Sequence, residues 1–173
     1  MTTLLATLAI GMAPATIDNP RVEMTIENRG RVLMELYPDK APKTVEHFVG
    51  LVRSGFYNGV LFHRVENSPR PFVVMTGDPL TKSLPLMDSR IGTGGSGTTV
   101  PFEKNDLAFA NGTLGLSRDK TKPNSGDSQF FITLGPQPFL EGTYVAFGRV
   151  IQGLEILKTI KLGDKIVTMR LAG

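Results

Sequence analysis

Short runs in which hydrophobic and polar residues alternate dominate the chain. Val22, Met24 and Ile26 alternate with polar neighbours, and after Asn28-Arg29-Gly30 the alternation resumes at Val32, Met34 and Leu36. Two strands joined by a tight turn are the natural reading. Pro38 and Asp39 end the second strand. Val45, Phe48, Val49 and Val52 then recur at helical spacing, so an amphipathic helix is predicted over Lys43 to Arg53, started by Pro42 and stopped by Gly55. Further on, Leu107 to Ala110 and Thr113 to Ser117 read as strands of a hairpin turned at Asn111-Gly112. Ser128 to Leu134, Tyr144 to Val150 and Lys165 to Leu171 read as strands, and Leu154 to Ile160 as a short second helix.

Between these lies Val60 to Asp78, VLFHRVENSPRPFVVMTGD. Alternation of Leu61, His63 and Val65 against Phe62, Arg64 and Glu66 predicts a half-buried strand that sends Phe62 and Arg64 to one face. Pro69, Arg70 and Pro71 break pairing, and Phe72 to Met75 reads as the return strand. Arg64 is then either a surface ion pair, the commoner fate of a single arginine, or a fixed donor fork over a pocket for a carbonyl group. Many short strands with few helices point to an antiparallel barrel or sandwich.

The 173 residues suit one domain with a full core. Composition changes this picture little. Nineteen Lys and Arg against sixteen Asp and Glu give a net charge of +3, dispersed along the chain, so nucleic-acid binding gains no support. No cysteine is present and only His47 and His63 are histidines, which excludes disulfides, thiol nucleophiles and Cys- or His-rich metal centres. His47 reads as a solvated or edge residue.

Two motifs fail on context. Gly92-Thr-Gly94-Gly95-Ser-Gly97 has the form G-x-G-x-x-G, but no strand leads into it and Pro101 opposes the helix that dinucleotide binding requires. Gly126-Asp127-Ser128 resembles one esterase nucleophile motif, yet no histidine follows His63 to serve as its base. No cofactor is called for.

Residues 1–18 form an apolar extension, and 19–173 the folded domain. Met1 to Ala15 is uncharged and too short to span a bilayer as a helix. Ala13-Pro14-Ala15 suits a signal-peptide remnant, although the basic n-region is missing, and an extra element packed on the domain is the other reading. Export, to the periplasm or beyond, is the preferred expectation, and retention would leave the protein cytoplasmic.

The order of motifs FHR at Phe62 to Arg64, F-x-x-M-x-G-D from Phe72, SQFFIT from Ser128 and F-L-E-G-x-Y-V-A-F-G from Phe139 resembles the cyclophilin family of peptidyl-prolyl cis-trans isomerases, from about Val22 to Leu171. The resemblance implies a mainly β fold, a closed eight-stranded antiparallel barrel capped by two helices, with Val45, Phe48, Val49, Leu154 and Leu157 against its ends. It implies a catalytic Arg64 and a pocket from Phe72, Val73, Phe131 and Leu140, with Gln129 positioning the substrate backbone. Phe130 and Ile132 would face the core. The implied partners are proline-containing peptides and unfolded or flexible segments, met by a monomer that engages neither nucleic acid nor, in mature form, a membrane.

Several positions depart from the family pattern. Met75 stands in place of a second glutamine that orients the arginine. Arg118, Asp119 and Lys120 replace a neutral rim of methionine, alanine and asparagine. Phe139 replaces a tryptophan and Tyr144 a histidine of the eukaryotic type; a phenylalanine at the tryptophan position occurs in bacterial members and goes with weak cyclosporin binding. Leu80 to Arg90 lengthens a loop beside the groove. Reduced turnover with altered peptide preference is the expectation, and a proline-binding or chaperone-like module with little or no turnover is the alternative.

Overall fold

The computed structural model describes residues 19–173, so the apolar extension and its possible cleavage lie outside the described residues. Eight strands and two helices follow one another as β1 (Arg21–Ile26), β2 (Gly30–Leu36), α1 (Pro42–Arg53), β3 (Arg64–Val65), β4 (Val73–Thr76), β5 (Thr113–Leu116), β6 (Phe130–Thr133), β7 (Val145–Gln152), α2 (Leu154–Leu157) and β8 (Ile166–Ala172). All strands join one antiparallel sheet in the order β3-β4-β6-β5-β7-β2-β1-β8.

The sheet curls so that its two ends meet, but no full ladder closes it. Leu61, just before β3, forms a single bridge with Lys165, just before β8. Phe62 N–H donates to Asp164 O at 2.8 Å and Ile166 N–H to Val60 O at 2.9 Å. The expected barrel is thus a curled sheet closed by a short seam.

That seam corrects the strand predicted around Arg64. The chain pairs with the β8 side up to Phe62, then turns to β4, where His63 N–H donates to Met75 O. Phe62 is therefore fully buried in the interior while Arg64 stands on the outer surface, and the two do not share a face. Leu107 to Ala110 also differs from expectation, because it lies in no ladder. Its carbonyls are taken individually: Ala108 O accepts from Thr113 Oγ1, Phe109 O from Gln137 N–H, and Ala110 O from Thr133 Oγ1. The second helix is shorter than its apolar spacing suggests, four residues long.

The alternating residues fill the interior as a period of two requires: Val22, Met24 and Ile26 from β1, Val32, Met34 and Leu36 from β2, Phe130 and Ile132 from β6. Helix α1 sets Val45, Phe48, Val49 and Val52 into this core, and Leu157 joins them with Leu154 packed alongside. Phe48 is the hub of an aromatic group, with ring centroids 5.2 Å from Tyr57, 5.2 Å from Phe130 and 5.1 Å from Phe147. Such pairs contribute beyond their buried area. Helix α1 has no side-chain cap of its own. Instead Glu103 reaches across to accept the Lys43 and Thr44 N–H groups at 2.9 and 2.8 Å, satisfying donors that a helix start leaves free.

The glycine-rich loop has its explanation in two aspartates of the same chain. Asp78, fully buried, accepts N–H groups from Leu80, Gly92 and Gly94, while Asp127 accepts from Ser96 Oγ and Gly97 N–H. A Cβ at Gly94 or Gly95 would overlap one of these carboxylates, so the carboxylates need glycine there. His47, read as a solvated or edge residue, is instead largely buried and lies 3.2 Å from Asp127 Oδ1. Ser128 is buried and donates to Gly77 O, a structural role that disposes of the esterase-like motif.

Truncating the aromatic hub tests this account of the core. Phe48→Ala is expected to lower the unfolding free energy by about 3–5 kcal/mol, read from chemical denaturation with unchanged slope.

Candidate active site

The central strands bury both faces. On the inner face they meet the main core, and on the outer face Val73, Phe109, Phe131, Leu140 and Ala146 form a second, smaller apolar cluster flanked by Phe72, Met75, Leu107 and Tyr144. Register explains the grouping. Arg64 pairs with Met75, Met75 with Phe131, Phe131 with Gly115 and Gly115 with Ala146, so one row crosses five strands on the same face. Gly115 is required beneath Phe131, because a Cβ there would overlap its ring.

At the Arg64 end of this row lies a cleft of about 220 Å³ lined by Arg64, Phe72, Val73, Met75, Ser117, Arg118, Lys120, Phe131, Leu140 and Tyr144. Phe131 stacks on Phe109 at 5.7 Å and takes the edge of Tyr144 at 5.3 Å, which fixes the aromatic floor. Arg64 is half exposed. Its Nε donates to Glu66 Oε1 at 2.6 Å, and its guanidinium carbon lies 5.9 Å from the Phe72 ring centroid. Arg64 thus forms the surface ion pair of the first reading, and does so at the lip of a pocket.

Eight of the residues singled out from the sequence line the cleft: Arg64, Phe72, Val73, Met75, Lys120, Phe131, Leu140 and Tyr144. Three do not. Phe139 is 67% exposed and reaches the site only by stacking on Phe72 at 5.7 Å. Gln129 and Asp119 line an adjoining hollow of about 720 Å³ walled by the glycine-rich loop, where Gln129 Nε2 donates to Gly94 O at 2.8 Å. The Asp119 carboxylate accepts the Thr121 N–H and hydroxyl, which hold its pKa below the usual range.

Ser117 and Glu66 were not singled out as site residues. Ser117 follows β5 directly, and Glu66 stands two residues after Arg64, the spacing that shares a strand face. Arg118, noted for its charge, lies against the Phe102 and Tyr144 rings, 5.2 and 5.7 Å from their centroids. His63 lies beside Arg64 with both ring nitrogens buried and, among the described residues, neither in a well-formed hydrogen bond. Burial pushes its pKa below the ordinary 6.5, against the raising influence of Asp78.

Residues 21–170 match the family described as "Cyclophilin type peptidyl-prolyl cis-trans isomerase/CLD". Among curated relatives, "Peptidyl-prolyl cis-trans isomerase ppi1" of Schizosaccharomyces pombe is 40% identical over 139 residues, 77% of this chain and 80% of the relative. "Peptidyl-prolyl cis-trans isomerase B" of Bacillus subtilis is 36% identical over 148 residues, 86% of this chain and 95% of the relative. A cyclophilin-type isomerase of Cryptosporidium parvum superposes with a TM-score of 0.77 at 28% identity, covering 90% of this chain and 98% of that one. A second structure of that protein, in the presence of the dipeptide Ala-Pro, gives a TM-score of 0.74 at 29% identity, covering 88% and 99%. The chain belongs to the cyclophilin-type peptidyl-prolyl cis-trans isomerase family. Its activity is the cis-trans isomerisation of Xaa-Pro peptide bonds.

The burial of His63 has a measurable sign. With the folded pKa depressed, its contribution to stability is fully present above 6.5 and is lost as pH falls through the lowered folded value. An NMR titration of the His63 ring is expected to give a midpoint below 6.5, and His63→Gln to weaken the loss of stability over that interval.

Proposed function

We propose that the outer-face cleft seats the proline ring of an Xaa-Pro bond and that Arg64 stabilises the twisted amide. The supporting observation is the register row, which sets one guanidinium at the lip of a largely apolar cleft of about 220 Å³. The Ala-Pro dipeptide present with the Cryptosporidium parvum relative supports a proline-containing peptide as the ligand. In this reading residues 19–173 are the catalytic domain.

Rotation about the peptide bond is slow because the twisted state loses amide conjugation, at roughly 18–20 kcal/mol. Cis and trans Xaa-Pro differ by only about 0.5–1 kcal/mol, so a catalyst changes rate and leaves the balance alone. It must bind the twisted state better than either planar one. On twisting, the proline nitrogen recovers a basic lone pair. A guanidinium N–H held beside it, or beside the neighbouring carbonyl, gains strength as conjugation is lost. Phe72, Val73, Met75, Phe131, Leu140 and Tyr144 grip the ring and exclude water, which strengthens that hydrogen bond. Phe139 braces Phe72, and Gln129 extends the site toward the glycine-rich loop, with Asp119 and Lys120 on its rim.

Glu66 takes over the orienting role that Met75 cannot perform. Its carboxylate engages Nε alone, and a guanidinium has four further N–H donors for the substrate. The value of this ion pair is aim, since pairs so exposed stabilise a fold little.

Two-dimensional NMR exchange on a short Xaa-Pro peptide tests the assignment. Wild type accelerates exchange, and Arg64→Ala lowers kcat/KM by about 100-fold or more while remaining folded. A folded Arg64→Ala protein with wild-type rates overturns the role of the arginine. Glu66→Ala is expected to cost roughly tenfold, and adding Met75→Gln to recover most of it, because a neutral acceptor from the opposite strand restores the aim.

A further inference from the structure

The geometry points to a substrate preference: the site selects peptides with a carboxylate side chain within two residues of the proline, and Arg118 and Lys120 make the selection. The inference rests on the cleft assigned above as the proline site. Three cations line that cleft, Arg64, Arg118 and Lys120, and no aspartate or glutamate does. Glu66 answers the charge of Arg64. Among the described residues, no ion pair involves Arg118 or Lys120.

Arg118 is fixed without being neutralised. Its Nε donates to Thr143 O at 2.7 Å, and Nη1 to the carbonyls of Asp119 and Lys120 at 2.9 and 3.1 Å. These partners are dipoles, and the two aromatic rings beside the guanidinium carry no charge. The neighbouring carboxylate of Asp119 accepts from Thr121 and, although near enough to feel the Arg118 charge, forms no ion pair with it. The site therefore holds a cation already oriented, so binding an anion costs little reorganisation. Lys120 adds a second positive charge at the same wall. Apolar side chains on the other walls reduce the screening that weakens such pairs on open surface. A lysine in the peptide at the same place would be repelled by the same groups.

Peptides of one backbone, with Glu, Gln or Lys placed in turn at the two positions on each side of the proline, test the preference. Exchange rates at low and high salt give kcat/KM, and isothermal titration gives Kd for the same set. For wild type, at one position or more, Glu is expected to exceed Lys by about tenfold with Gln between, and the gap to shrink in high salt. Lys120→Glu reverses the order of Glu and Lys, and Arg118→Met narrows it. Equal values for all three residues at every position overturn the proposal, as does an order that Lys120→Glu leaves unmoved. A Kd order of Glu, Gln, Lys without turnover of any peptide supports the selection and overturns the catalytic reading on its own.

Discussion

Burial of both faces of β4, β6, β5 and β7 is the constraint on which the molecule depends. A sheet that met solvent on its outer side would carry polar residues at Val73, Phe131 and Ala146, and no cleft would exist there. The inner face does the work of stability, packing Phe130, Ile132 and Phe147 against helix α1. The outer face carries the cleft, with small residues at Gly115 and Ala146 leaving room for the rings of Phe109 and Phe131. Because side chains alternate along each strand, one register serves both purposes. A slip of one residue would empty the core and fill the cleft at once.

Arg64 owes its position to the same sheet but its aim to a local partner. The arginine begins β3, an edge strand two residues long, where side chains reach solvent easily. Glu66 on one side and the Phe72 ring on the other limit that freedom. The charge balance around the cleft then follows from which cations have carboxylate partners and which have only carbonyls. Among the described residues Arg64 has one, and Arg118 does not.

Much of this was legible in the sequence because it depends on period. Val22, Met24 and Ile26, Val45 and Phe48, and the opposition of Phe130 to Phe131 could be read from spacing alone, and the ordered motifs brought Arg64, Phe72 and Phe131 to one pocket before any geometry was known. What escaped depends on contacts between residues distant in sequence. Glu103 capping helix α1, and Asp78 and Asp127 clamping the glycine-rich loop, leave no periodic trace. Leu107 to Ala110 has strand-like composition, yet side chains and loop amides claim its carbonyls before a ladder can. Phe62 and Arg64 obey alternation only if their strand is continuous, and it changes partner between them.

The seam where Leu61 meets Lys165 ties the arginine to the order in which the chain is made. Segment 60–62, which leads directly into Arg64, takes its backbone partners from residues 163–166, and β1 is flanked on its far side by β8. In sequence, β4, β5, β6 and β7, which build the apolar cleft, all precede β8 and the second half of the seam. Apart from the seam, the arm that carries Arg64 is held by β4 and by Thr81, whose hydroxyl accepts the Leu61 N–H. A chain lacking β8 would keep the strands of the cleft and lose the seam that holds the arm carrying Arg64.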